Sequence, residues 1–223
     1  MNETPQDVLN LLRISDSFFP LGSFTVSQGM EQLVADRHWN KKDLAVILQA
    51  YLGKIWESFD LQVFFLALAA ARSGDLGIIA ELDDLCYAAK LSEENRSAVQ
   101  RMGANLAEAI PFAPHSSGWV FRERIREGRA KGMYPVTLAL AAETLHLQDQ
   151  GGLSLIYVNL MEVVASLVRM AEIDYLEAQQ VMEEVIRGID PCVKGLADLH
   201  QSYPLVDIAM MRHETSQHRM FIS

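Results

Sequence analysis

Helical periodicity is the strongest constraint on this chain. Between Asp43 and Glu57, apolar residues fall at Leu44, Ile47, Leu48, Tyr51, Leu52 and Ile55. That is the i, i+3, i+4, i+7 spacing of a helix with one buried face. Asp60 to Arg72 follows, apolar on nearly every side, and stops before Ser73-Gly74. A helix without a polar face belongs inside a core. Further helices are expected after Pro5, over Asp75 to Lys90, after the Ser92 N-cap up to Pro111, and over Val136 to Leu147. Others are expected over Leu153 to Met170 and Asp174 to Arg187, with short ones starting at Pro191 and Pro204. No run alternates with period two, and no Asn-Gly hairpin dipeptide separates β-branched runs. The pattern predicts an all-α fold of about nine or ten helices packed around a buried central helix. No linker composition and no internal repeat divides the chain, so residues 1–223 are expected to form a single domain.

Two stretches read as irregular. Residues 16–29 form an N-terminal turn, DSFFPLGSFTVSQG, and Ile110 to Pro135 is rich in Pro, Gly, Ser and Arg. The second holds Arg122, Arg124, Arg126, Arg129 and Lys131, 5 of the 19 basic residues. This is either a solvated face balanced by nearby acid or a docking patch for an acidic partner.

The net charge of −10 repels phosphate backbones, which argues against nucleic-acid binding. Only Cys86 and Cys192 carry thiols, and no CxxC is present, which argues against a disulfide framework or a structural zinc site. No basic stretch leads into an apolar run at the N-terminus, so no signal peptide is visible. The longest apolar run noted, Val63 to Ala71, falls well short of the roughly 20 residues a membrane span needs. The expectation is a soluble cytoplasmic protein.

No catalytic signature emerges. G-x-S-x-G, the P-loop and G-x-G-x-x-G are all missing. The pairs Asp83–Asp84, Glu93–Glu94 and Glu183–Glu184 are adjacent in sequence and point in different directions on a helix. The chain ends in HETSQHRMFIS, which begins like the zinc-protease motif H-E-x-x-H but places its second histidine at His218. Residues five apart lie roughly 140° apart around a helix, so His213 and His218 cannot grip one ion from regular helix. A metal-dependent hydrolase using His213, Glu214 and His218 is the enzymatic alternative, and a helical adaptor is another. The sequence reads better as a binding or scaffold protein.

Two motifs carry a resemblance. The opening LLRISDSFFPLGSFTVSQGMEQLV contains Pro20, Gly22, Phe24, Ser27, Gln28, Gly29, Met30 and Glu31 in a P-x-G-x-[FY] then S-[HQ]-G-[LM]-E pattern. The end places Pro204, Leu205, Asp207, Ile208, Met211, His213, Glu214, Thr215, Arg219, Met220, Phe221 and Ser223 in a second pattern. Together they resemble the urease accessory protein F family (UreF). Glu94, Arg96 and Gly103 match a middle E-x-R…G helix, and Arg169 ends a V-x-x-x-V-R stretch. The family's L-x-P-L-G-Q-type turn after that arginine is replaced here by RMAEIDYLEAQQ.

The resemblance implies a dimeric, non-enzymatic all-α protein that bridges the accessory protein UreD (UreH) and the GTPase UreG. The assembly would deliver nickel into apo-urease on GTP hydrolysis, so the chain needs no cofactor of its own and binds no membrane. It recasts residues 212–223 as a docking tail, with plain C-terminal packing as the alternative. The partner-binding candidates are Phe24, Ser27, Gln28, Glu31, Arg169, His213, Glu214, Arg219, Met220 and Phe221. Glu31, at the start of a helix, is expected to be accessible.

Overall fold

A computed structural model describes residues 4–36, 39–189, 199–217 and 219–221. The described residues contain helices and no strand. In chain order they are α1 (Pro5–Ser15), α2 (Met30–Ala35), α3 (Leu44–Tyr51), α4 (Leu61–Ser73), α5 (Leu76–Ala89) and α6 (Glu93–Ala109). These are followed by α7 (Ser117–Arg126), α8 (Tyr134–Thr144), α9 (Gly151–Arg169), α10 (Tyr175–Arg187) and α11 (Pro204–His213). The helix expected at Pro191 lies outside the described residues.

Local chemistry explains most boundaries. Thr4 and Asp7 exchange hydrogen bonds in a capping box ahead of α1, and Asp174 and Glu177 do the same for α10. Asp75, Ser92 and Ser116 cap α5, α6 and α7 through their side chains.

Three departures from the sequence reading matter. The expected separate helices Asp43–Glu57 and Asp60–Arg72 are one continuous rod. Leu52–Asp60 joins them as a wide-wound π-helical stretch. Its extra winding turns Ile55, Trp56, Phe59 and Asp60 inward together. Second, the stretch read as irregular between Ile110 and Pro135 contains α7. The basic residues there are largely matched with acid: Arg126 with Glu108 and Glu123, Arg122 with Glu123, and Arg129 with Glu127.

Third, the core is not built on one helix. α4 is buried as expected, but every residue of α8 from Tyr134 to Ala142 is buried too, and α9 crosses both. α9 is long and apolar enough to cross a membrane by length and composition, yet 72% of its most apolar stretch is buried inside the protein. Asn159 and Glu162 interrupt its apolar run.

Two close contacts lock α8 in place. A Cβ on Gly103 of α6 would lie 2.0 Å from the Gly132 carbonyl, so only glycine permits this approach. Asp83 of α5 accepts from the backbone N–H groups of Lys131, Gly132 and Met133, at 2.6, 3.0 and 2.7 Å. Burial pushes the Asp83 carboxyl above its ordinary value, with these three bonds pulling against the shift.

Candidate docking site

The N-terminal turn is anchored from within. Gln28 adopts a left-handed backbone (φ 51°), and Gly29 follows at φ 85°. The Gln28 side chain donates to Asn159 Oδ1 at 2.9 Å and to Glu162 Oε2 at 2.6 Å, and accepts from Trp56 Nε1 at 3.2 Å. Its carbonyl accepts from the Tyr51 hydroxyl. All of its side-chain hydrogens and its amide oxygen are engaged inside the protein. Ser27 is buried as well, and its Oγ accepts from the Glu31 N–H at 3.4 Å. Both residues point inward, so the geometry gives them the task of holding the turn.

The turn presents Glu31 at the start of α2, where a carboxylate is favoured by the helix dipole. It is not the open side chain the sequence suggested. Its side chain is only 14% exposed, because the C-terminal segment folds over it. Glu31 Oε1 accepts from the Met220 N–H at 2.7 Å, and Oε2 accepts from the Phe221 N–H at 2.9 Å. Oε2 also lies 3.0 Å from Nε2 of His213, the last residue of α11. The other ring nitrogen, Nδ1, lies 2.7 Å from Glu94 Oε2. His213 is therefore clamped between carboxylates from α2 and α6, with 1% of its side chain exposed. Ionised carboxylates only accept, so both contacts are satisfied when each ring nitrogen carries a proton.

Arg219 completes the clamp. Its guanidinium pairs with Glu94 and donates to the carbonyls of Glu214 and Ser216, each at 3.0 Å. Glu214 turns the other way, onto the N-terminus of α6. It accepts from the Ser92 hydroxyl at 2.8 Å and the Glu93 N–H at 2.6 Å. Burial pushes the Glu214 carboxyl up, but those donors and the Glu94 N–H hold it below its ordinary value.

A ring stack closes the surface. The Arg169 guanidinium lies 4.3 Å from the Phe24 ring centre and 4.4 Å from that of Phe221. Its side chain also donates to the Phe24 carbonyl. One cation at the end of α9 thus joins the N-terminal turn to the C-terminal segment. Phe221 is buried, whereas Phe24 and Met220 are more than half exposed. The missing Pro/Gly turn after Arg169 is replaced by Ala171 in a left-handed conformation (φ 59°). The N–H groups of Ala171 and Glu172 bond back to Val168 and Leu167.

Eight of the ten candidates therefore converge on one surface, while Ser27 and Gln28 support it from below. Sequence reasoning left Glu94 out of the candidate set, although it joins His213 and Arg219. Its signal was present in the E-x-R match. His218, the second histidine of the metal-site alternative, lies outside the described residues. Among the described residues, no group of three or more His, Cys, Asp or Glu is arranged to hold a metal. Beside this surface, the outer face of α11 exposes Leu205, Ile208 and Met211. An apolar groove of about 840 Å³ begins at Phe24 and Arg169 of this surface and runs between α1, α9 and α10, lined by Leu11, Leu12, Tyr157, Met161 and Met182 among others.

Known proteins share this chain's sequence at nearly full length. The family model for UreF matches residues 39–186. The chain is 27% identical over 231 residues to the urease accessory protein UreF of Bacillus sp. (strain TB-90), covering 97% of this chain and 99% of that protein. It is 26% identical to the urease accessory protein UreF of Actinobacillus pleuropneumoniae serotype 3 (strain JL03), covering 96% of this chain and 97% of that protein. It is 25% identical to urease accessory protein UreF 1 of Brucella melitensis biotype 1, covering 97% and 92% respectively. The chain, whose two ends meet at one clamp, belongs to the UreF family of urease accessory proteins.

Proposed function

We propose that this protein is a non-enzymatic scaffold of urease maturation. In this reading it acts in the cytoplasm, binds a UreD-type accessory protein, and recruits the UreG GTPase. The assembly inserts nickel into apo-urease as GTP is hydrolysed. Nickel is cargo here, and both nickel and GTP are handled by the partners. The observation that carries the reading is the composite surface of Glu31, Glu94, His213, Arg219 and the Arg169 ring stack. That surface is cross-linked by ion pairs, carries both charge signs, and is flanked by the exposed apolar residues Leu205, Ile208, Met211 and Met220. A polar centre beside apolar anchors suits protein recognition.

The homodimer belongs to the same proposal, with the groove between α1, α9 and α10 as the surface for a second copy. Tyr175, strongly exposed, lines it, and the strongly exposed Phe18 follows Asp16 and Ser17 of its lining in sequence.

Co-elution in size-exclusion chromatography with a UreD-type protein and UreG tests the scaffold. Capture of UreG only when both accessory proteins are present supports it. Failure to bind a UreD-type protein overturns it. Light scattering of the isolated chain, compared with a Tyr157→Glu variant, tests the dimer independently.

A further inference from the structure

A second polar cluster lies in the interior, away from the docking surface. Where α9 meets α8 and the π-helical stretch, a cavity of about 20 Å³ is lined by Asp60, Lys90, Tyr134, Glu162 and Asp207 among others. Most of these groups are already matched. Asp60 pairs with Lys90 at 2.6 Å, Asp207 accepts from the Tyr203 N–H at 3.0 Å, and Glu162 Oε2 accepts from Gln28. Two buried atoms on the wall have no partner at hydrogen-bonding geometry: Glu162 Oε1 and the Tyr134 hydroxyl oxygen, which has the Ser154 hydroxyl nearby.

Buried polar atoms are rarely left unpaired in native proteins. A cavity of at least about 10–15 Å³ admits one water when two or more polar groups face it. This one is large enough, and Glu162 Oε1 and the Tyr134 hydroxyl are two polar groups on its wall.

We infer that the cavity is a binding site for one structural water molecule, held between Glu162 Oε1 and the Tyr134 hydroxyl. The proton inventory fits. Burial pushes the Glu162 carboxyl up to about 8, with the Gln28 bond and the Arg101 charge pulling against it and the Asp60 charge adding to it. Near neutral pH the group is a carboxylic acid. Its Oε2 already accepts from Gln28, so Oε1 carries the proton and donates it to the water. The Tyr134 hydroxyl fills a second position on the same molecule. Asp60, Lys90, Arg101 and Asp207 are the other charged groups around this site, and the Asp60–Lys90 pair neutralises itself. The water therefore fixes Glu162, Glu162 grips Gln28, and Gln28 sets the turn that presents Glu31. The inference goes beyond the docking role and stands whichever partner binds.

The test uses the full chain and two conservative variants. A crystal structure resolving ordered solvent should show one density bridging Glu162 and Tyr134, and Tyr134→Phe should lose it. The infrared difference spectrum of wild type minus Glu162→Gln should contain a carboxylic-acid carbonyl band that disappears as pH rises through about 8. A dry cavity in the wild-type crystal overturns the proposal. So does the absence of the acid band, because an ionised Oε1 has no proton to donate to the water as proposed. A melting temperature that changes when potassium replaces tetramethylammonium in the wild type, but not in Glu162→Gln, would likewise assign the site to a cation and overturn the water.

Discussion

Glu31 Oε2 accepts the backbone N–H of Phe221 at 2.9 Å, across 190 positions of sequence. Its other oxygen holds Met220, and His213 lies against the same carboxylate. Glu31→Ala should therefore free the C-terminal segment. Each bond to a charged group contributes roughly 1.5–3 kcal/mol, so the loss should register as a lower melting temperature. Hydrogen exchange should show deprotected amides at Met220 and Phe221 while α4 and α8 stay protected. Unchanged protection at those two amides would remove Glu31 from the latch. Recruitment of UreG should weaken in the same variant.

Two truncations should behave differently. Removing residues 216–223 deletes Arg219 and Phe221 but keeps His213 between its carboxylates. That protein should retain its helical circular dichroism and lose capture of the UreD-type partner. Removing residues 213–223 also leaves Glu31 and Glu94 without the ring that separates them. Unpairing a buried charge costs about 3 kcal/mol, so this form should melt lower still. Phe221→Ala alone should weaken partner capture by about 1–3 kcal/mol. Full-strength capture by the shorter truncation would rule out the docking tail.

Ala171→Gly should stabilise the protein by about 0.5–1 kcal/mol. Ala171 occupies the left-handed position that ends α9, where an L side chain is strained and glycine is not. The looser unfolded chain of glycine offsets part of the gain. Urea denaturation decides, and an unchanged or lower midpoint would refute the strain argument.

Glu162 should make stability fall with rising pH. Its carboxyl titrates at about 8 in the folded protein against 4.5 for its ordinary value. Between those values the folded state binds more protons than the unfolded state, so unfolding free energy declines as pH rises. The favourable contribution is complete below about 4.5 and is lost through about 8. The full shift corresponds to a loss on the order of 5 kcal/mol. Glu162→Gln should abolish this slope, so its advantage over wild type should grow toward alkaline pH. Parallel slopes would show that Glu162 is ionised throughout.

The isolated protein should bind nickel weakly, and His213→Ala should leave that binding unchanged. Both ring nitrogens of His213 already face carboxylates, and the described residues supply no metal-holding cluster. Equilibrium dialysis is the measurement. One tightly held ion that vanishes in the variant would revive the hydrolase reading.

Much of this was legible in the sequence, because apolar periodicity reports burial directly. The stripe from Leu44 to Ile55 and the apolar run of α4 are the core they promised. The π-helical junction was not legible. Its apolar positions fit an ordinary helix equally well, and only packing shows the wider winding. α7 was obscured because Gly118 and a run of arginines resemble loop composition. The motif residues were identifiable, but their orientation was not. A glutamine in a turn looks exposed until Trp56, Asn159 and Glu162, all distant in sequence, are seen to surround it. Glu31 looked open because its partners lie at the opposite end of the chain.

The stack of Phe24, Arg169 and Phe221 also places the proposed docking surface in time. At roughly 5–20 residues per second, about ten to forty seconds separate synthesis of Phe24 from that of Phe221. Until Phe221 is made, Arg169 has no second ring and Glu31 has no tail to hold. A partner that reads the finished clamp therefore passes over the nascent chain on the ribosome. It also passes over any product that stops short of Phe221, so a prematurely terminated chain cannot occupy the partner in a futile complex.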